Sequence, residues 1–303
     1  MIRRLVVNAD DLGLTTGVND GIFDAHDRGI LTSASLFANA AATIDAIGRA
    51  RRRPSLGIGA HLTLVDGAPM LAPDRVTTLV AENGRFRATW KSFLLACLRG
   101  KVALDDAERE LSAQIDRIRA EGIRLTHLDA HKHVHAFPPL FAVVVRLATR
   151  FDIPVVRIPY ERWSSAIGDM QHRNRARRQA LENVAMLRWA RRDYRIASAQ
   201  DVRVPQFVGR VQTGIMSAES LEATLRRLRP GVTELMVHPG YIDDELRQTA
   251  TRLLLSRAKE VELLCAAGTR DVLTRGYSAG PSRCRAVSSP LCINGSSSCL
   301  VGA

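Results

Sequence analysis

Short apolar runs alternate with helix-length amphipathic stretches along most of this chain. Leu5–Asn8, Ser33–Ala38, Leu56–Ala60, Leu125–Asp129, Val155–Ile158, Val204–Val208 and Thr233–Val237 read as strands. Gly17–Arg28, Ala41–Arg52, Asp105–Glu121, Pro138–Arg150, the Arg-rich stretch ending near Arg195, the stretch capped by Ser217, and Ser256–Ala266 read as helices. Buried strands separated by helices need crossover connections. That pattern predicts an α/β fold with a largely parallel sheet. No internal repeat and no linker interrupts it, so one domain is expected over residues 1–275. Residues 65–100 carry Pro69, Pro73 and Gly84 and read as an insertion. Residues 276–303 hold no acidic residue, many Ser and Gly, and three of the five cysteines, and predict a disordered tail.

The polar residues of interest all fall at strand ends. Asp10 and Asp11 follow the first strand, His61 ends the third, Asp129 and His131 follow the fourth, Arg157 closes the fifth, and His238 follows Thr233–Val237. In a parallel barrel or open α/β sheet those ends share one face, and that face carries the active site. The run His127-Leu-Asp-Ala-His-Lys-His-Val-His135 holds four of the eight histidines. It sits between a strand and a helix, not in a low-complexity tail, and so predicts a divalent metal site. Catalytic sites of this kind take three protein ligands and keep a position open. Asp11, His61 and one histidine of the run, each from a different strand end, form a natural set. The neighbouring aspartate stays free as a base, and His238 can face the site from a distant strand.

Composition narrows the remaining classes. The chain has 303 residues, of which 46% are hydrophobic and only 5% aromatic, so aliphatic side chains must fill its core. Apolar runs such as Leu140–Val145 are too short to span a bilayer, and the start shows no signal-peptide pattern. The odd number of cysteines fits neither a zinc motif nor a disulfide framework. A cytoplasmic location, peripheral to the inner membrane at most, is expected. The net charge of +12 concentrates at Arg49–Arg53 and at Arg173–Arg195. Such patches suit an anionic membrane or nucleic acid, or are simply solvated helix faces.

These residues resemble the YdjC-like carbohydrate deacetylase family. The resemblance rests on Asn8-Ala-Asp-Asp-Leu-Gly13, Gly59-Ala-His-Leu62, Thr126–His135 and Glu234-Leu-Met-Val-His-Pro-Gly-Tyr241. Val156-Arg-Ile-Pro159 and the Arg-rich middle are most similar to its hopanoid-biosynthesis branch. The resemblance implies a distorted (β/α) barrel, TIM-barrel-like, holding one divalent ion (Mg or Zn). It implies removal of an N-acetyl group from an amino sugar, on the hopanoid branch an N-acetylglucosaminyl hopanoid lipid, by a homodimer. It places the ligands at Asp11, His61 and His131 and the catalytic base at Asp10. His238 is then expected to act as an imidazolium acid. His127, Asp129, His133, His135 and Arg157 are expected to support these groups or the substrate. Where family members often carry three consecutive histidines, this chain has Lys132.

Three alternatives stay open on the sequence: a chito-oligosaccharide deacetylase, another metal-dependent amidohydrolase or phosphoesterase on the same scaffold, and a basic membrane- or nucleic-acid-binding protein. The Arg-rich segment has few aromatics for base stacking and no recognition motif, so a nucleic-acid partner is not expected.

Overall fold

The computed structural model describes residues 3–162, 173–275 and 284–286. In chain order they form β1 (Arg3–Leu12), α1 (Thr16–Arg28), β2 (Ser33–Leu36), α2 (Thr43–Ala50), β3 (Gly57–Leu62), α3 (Trp90–Leu98), α4 (Leu104–Ala120), β4 (Leu125–Ala130) and α5 (Pro138–Arg150). Then come α6 (Arg173–Ala185), α7 (Leu187–Ala199), β5 (Gln206–Val208), α8 (Ala218–Arg226), β6 (Gly231–Val237), α9 (Asp244–Gln248), α10 (Leu255–Cys265), α11 (Ala267–Arg275) and β7 (Cys284–Ala286). All pairings between these strands are parallel, in the order β4-β3-β2-β1-β6-β5. Isolated parallel bridges carry the path on from Leu128 to Val156 and from Val155 to Arg203, three residues before β5. The sheet therefore curls round on itself as a distorted (β/α) barrel, as expected.

The central strands are apolar on both faces because helices cover one side and the barrel interior the other. Leu5, Val6, Val7, Ala34, Ile58, Leu128, Leu235 and Val237 are all buried. Helix α1 begins where the Thr15 side chain accepts from the Val18 amide. Helix α5 opens with Pro138 in its first turn, where a missing N–H costs nothing. Helix α4 buries Leu111, Ile115 and Ile118 along one stripe.

Several boundaries differ from the sequence reading. Asp10 and Asp11 lie inside β1, not in its exit loop. The register with β2 shifts between Ala9 and Leu12, and Asp11 has φ 70, a left-handed conformation that aspartate tolerates better than most residues. Val155–Ile158 makes bridges only at Val155 and Val156, because Pro154 and Pro159 withhold the amides a ladder needs. Pro205 likewise delays β5 until Gln206. The 65–100 segment is not merely loop: it contains α3, and its Val76, Leu79, Phe86 and Phe93 join the main core. Of the tail, only Cys284–Ala286 is described, pairing with Arg3–Leu5; the rest of 276–303 and His172 lie outside the described residues.

Two glycines set the distances that matter for the strand-end face. A Cβ on Gly21 of α1 would lie 2.4 Å from the Gly240 Cα, so α1 presses directly on the turn after His238. A Cβ on Gly59 of β3 would lie 2.3 Å from the His127 Nε2, so Gly59 makes room for a buried imidazole on the next strand. Gly59→Ala should force that ring aside and destabilise the fold by about 1–3 kcal/mol. Urea unfolding followed by circular dichroism checks it; an unchanged midpoint would show that His127 shifts freely.

Candidate active site

The strand ends deliver their polar side chains to one buried cluster. Asp11 Oδ1 lies 3.5 Å from His61 Nε2 and 3.3 Å from His131 Nδ1. Phe37 meets both imidazoles edge-on, with ring centroids 4.8 and 5.2 Å away. One donor atom from each of Asp11, His61 and His131 falls within 4.8 Å of the others. One carboxylate oxygen and two imidazole nitrogens meeting at a point, from three separate elements, is a donor set that suits a divalent ion such as zinc.

Each member of the trio is aimed by other residues. His61 pairs through Nδ1 with Asp129 Oδ1 at 2.8 Å, which leaves Nε2 to face Asp11. The other Asp129 oxygen accepts from Ser35 Oγ at 2.7 Å and forms an ion pair with Arg157 Nη2 at the same distance. Arg257 of α10 donates from Nη2 to Asp11 Oδ2 at 2.5 Å, leaving Oδ1 toward the imidazoles. His131 opens a 3-10 turn, His131–Ala136, in which Lys132 and His133 have φ 51 and 55. Lys132 pairs with Asp66 at 2.6 Å, on the rim beside His131.

Asp10 is held differently. Its two oxygens accept from Arg157 Nη1 at 2.8 Å and Nη2 at 2.7 Å. The same guanidinium donates to Glu234 Oε1. His238 is buried 8% exposed, and its backbone amide donates to Glu260 Oε2 at 2.5 Å. Five buried carboxylates (Asp10, Asp11, Asp129, Glu234 and Glu260) thus face two buried guanidiniums, Arg157 and Arg257. Burial opposes charge on His61, yet Asp129, Asp11 and Asp10 outweigh it and lift its pKa to about 10. A field that would hold a proton on this ring would equally hold a cation. Burial pushes the Glu234 and Glu260 carboxyls up to about 7, against the pull of Arg157 and of the His238 amide respectively.

The sequence expectations fare unevenly. Asp11, His61 and His131 converge, with Asp10 beside them and Arg157 clamping it. Of the other histidines in the run, His135 Nε2 donates to the Arg157 carbonyl at 2.8 Å and so steadies its backbone. His127 pairs with Ser35 Oγ at 3.0 Å, underneath Asp129. His133 turns away to meet Phe207 edge-on, with centroids 6.1 Å apart. Burial, eased in part by Asp10 and Asp11, pushes the pKa of the His238 ring down to about 4. Ser35, Phe37, Arg257 and Glu260 escaped the sequence reading. Glu234 does carry a sequence signal, as a lone acid in the apolar strand Thr233–Val237.

A family model described as YdjC-like protein matches residues 4–275. The chain belongs to the YdjC-like family. A carbohydrate deacetylase of Brevibacillus brevis is 33% identical over 270 residues, covering 89% of this chain and 94% of its own. A carbohydrate deacetylase of Oceanobacillus iheyensis is 32% identical over 262 residues, covering 86% of this chain and 96% of its own. Among solved structures, one from Enterococcus faecalis V583, whose description proposes a cellobiose-phosphate cleavage protein, superposes with a TM-score of 0.73. It is 27% identical, and the match covers 91% of this chain and 95% of that one. The parallel-strand fold is therefore one seen experimentally.

The aim of Asp11 is testable by itself. Arg257→Gln should weaken zinc or magnesium binding to chelator-stripped protein by about 10- to 100-fold, as for other groups that orient a metal ligand. Titration calorimetry reads this directly, and Arg257→Lys should recover part of it. Tighter binding in Arg257→Gln would show that the arginine's charge, which opposes a cation, outweighs its orientation of Asp11.

Proposed function

We propose that this protein is a metal-dependent carbohydrate deacetylase, hydrolysing the N-acetyl group of an amino sugar. The observation that carries the reading is the pairing of one Asp-His-His set with a separate carboxylate, Asp10, held beside it on Arg157. The carbohydrate deacetylases among its relatives support the same reading. Asp11, His61 and His131 are the residues that would hold the ion. When bound, such an ion supplies Lewis-acid polarisation of the acetyl carbonyl and makes a nearby water more acidic.

The chain's own groups then divide the work. Asp10 takes a proton from the attacking water as general base. Arg157 fixes both Asp10 oxygens, so the carboxylate cannot swing toward the ion and become a fourth ligand. Hydrolysis breaks the C–N bond, and the departing sugar nitrogen must gain a proton. His238 is the group assigned to deliver it. The ring takes up the proton that Asp10 has removed from water and, as the imidazolium so formed, gives it to the departing nitrogen as the C–N bond breaks. Asp129 and Ser35 keep His61 in one tautomer throughout.

The phosphoesterase alternative is weaker for a structural reason. Two-ion chemistry needs a second set of ligands a few ångströms away. The second set among the described residues is Asp10, His61 and Asp129. Its two aspartates already share Arg157 Nη2, at 2.7 Å from each. A guanidinium thus takes the place of a second ion.

Removing metal with a chelator should abolish acetate release from N-acetylglucosamine substrates, and added zinc or magnesium should restore it. Asp10→Asn should lower kcat by about 10²–10⁴-fold while metal affinity by calorimetry stays near that of the unaltered protein. Full turnover by Asp10→Asn would sink the base assignment.

A lipid-linked substrate, such as an N-acetylglucosaminyl hopanoid, is a narrower reading favoured by one observation. Arg188, Arg191, Arg192 and Arg195 form an exposed stripe on α7, opposite its buried Ala190 and Ala197. Leu181 and Val184 on α6 are 72% and 64% exposed. No helix among the described residues is long and apolar enough to cross a membrane. A cationic stripe beside exposed aliphatic side chains suits the surface of an anionic bilayer. Replacing the four α7 arginines with Gln should abolish salt-sensitive sedimentation with phosphatidylglycerol vesicles. Acetate release from lipid-linked against soluble chito-oligosaccharide substrates then separates the two substrate classes.

A further inference from the structure

Helix α3 leaves an apolar face uncovered near the candidate active site. Thr89 caps it, its side chain accepting from the Ser92 amide. Phe93 and Ala96 turn into the core, while Leu95 and Leu98 are 46% and 64% exposed and Trp90 is 40% exposed. Lys91, Leu95 and Leu98 follow at four- and three-residue steps and so share one side of the helix. Lys91 Nζ lies 5.7 Å from the centroid of the Trp90 ring. No acidic residue occurs between Glu82 and Asp105, a stretch that holds five basic ones. Arg87 turns inward, donating to the Thr78 and Leu79 carbonyls at 2.9 and 3.1 Å. Arg85, Lys91, Arg99 and Lys101 are exposed.

The fold places this face at the strand ends. The Asp66 amide donates to the Arg87 carbonyl at 3.0 Å, and the Phe86 amide to the Gly67 carbonyl at 3.0 Å. These bonds tie the approach to α3 to the segment that leaves β3 after His61. Helix α3 itself packs against the His131–Ala136 turn. Helix α7, with its arginine stripe, packs against the same turn, and its Trp189 meets Phe137 with ring centroids 5.7 Å apart. Two cationic surfaces thus meet at the turn that carries His131.

The chemistry of the α3 face selects its occupant. A second copy docked about a two-fold axis would set Lys91, Arg99 and Lys101 against themselves, with no acid in the segment to separate them. A nucleic acid calls on aromatic rings for stacking, and this face offers one ring among aliphatic side chains. An anionic bilayer matches every part: the headgroups take the cations, the outer acyl region takes the leucines, and tryptophan favours the boundary between them. A helix of nine residues with so few apolar side chains binds weakly alone, and the α7 stripe supplies the second contact that stable anchoring requires.

We propose that α3 is a membrane-docking helix, which lays Trp90, Leu95 and Leu98 into the surface of an anionic bilayer and brings the strand-end site to that surface. The docking stands without the deacetylase reading; its use, reaching a lipid-linked amino sugar, rests on that reading.

The test uses the full chain and vesicles of phosphatidylcholine with phosphatidylglycerol, made with plain or with brominated acyl chains. Bromines should quench the tryptophan fluorescence of the bound protein, and Trp90→Phe should lower that quenching at equal bound protein. Leu95→Ser combined with Leu98→Ser should weaken sedimentation with the vesicles by about tenfold or more. Both leucines are exposed, so circular dichroism should show an unaltered fold. Sedimentation that the leucine substitutions leave unchanged, or quenching that Trp90→Phe leaves unchanged, overturns the proposal. So does a dimer, seen by light scattering, that the leucine substitutions split without moving vesicle binding, which would give the face to a second copy. Binding to a DNA oligonucleotide but not to vesicles overturns it as well. Acetate release from soluble chito-oligosaccharides should be the same in every α3 variant, so failure of the docking and failure of the deacetylation site are read separately.

Discussion

The site depends on a single guanidinium. Arg157 is 1% exposed and meets Asp10, Asp129 and Glu234, carboxylates delivered by three different strands. Bringing these acids together in the barrel interior without it would leave like charges unpaired at low dielectric, a cost of about 3–5 kcal/mol even for one broken pair. A buried ion pair is weak evidence for stability, since well-packed apolar residues do as well. Its value here is geometric. The planar fork gives Asp10 two fixed contacts and Asp129 one, and Asp129 in turn fixes His61. A point charge on a flexible stem, as in lysine, lacks that fork.

The same arrangement explains why acid exceeds base in the cluster. Arg157 is shared among Asp10, Asp129 and Glu234, and Arg257 takes the Oδ2 of Asp11, which leaves Asp11 Oδ1 to His61 Nε2 and His131 Nδ1. Excess negative charge is therefore concentrated where two imidazole nitrogens also point. A cation satisfies that combination better than protons do, because it draws on all three donor atoms at once. Asp10 is held apart from that space by its two contacts with Arg157.

Much of this was legible in the sequence, for a reason that also marks where legibility stops. Asp10, Asp11, His61, His131 and Arg157 announce themselves because each follows a short apolar run, and parallel strands put such positions on one face. Arg257 and Glu260 carry no such mark. They occupy an amphipathic helix in which charged residues are ordinary, and only the packing of α10 against α1 and the strand ends makes them buried. Ser35 is equally silent, a small residue in a strand of small residues. The 65–100 segment reads as loop because Pro and Gly punctuate it, and of the core residues Val76, Leu79, Phe86 and Phe93 only Phe93 lies in a helix. Helix α11 was missed because Gly268 reads as a stop at its second position.

Of the six non-glycine residues with left-handed φ among the described residues, four lie at the strand-end cluster or its rim, and the other two, Asp152 and Asp201, follow the ends of α5 and α7. Asp11, Lys132 and His133 take left-handed φ values, and Asp66, which pairs with Lys132, does too. Non-glycine residues in that region each cost of order 1–3 kcal/mol when bulky, less for aspartate. Glycine would relieve the cost at every one of these positions. At Asp11 the side chain cannot be given up, and the bulge turns its carboxylate toward His61 and His131. At Lys132 and His133 the tight turn reverses the chain directly after His131, which lets His131 face Asp11 while His135 reaches back to the Arg157 carbonyl. An extended continuation would set those two histidines on one face about 13 Å apart and carry the second out of reach. The run of histidines is thus one turn that aims His131 inward and uses His135 to steady the guanidinium that holds Asp10.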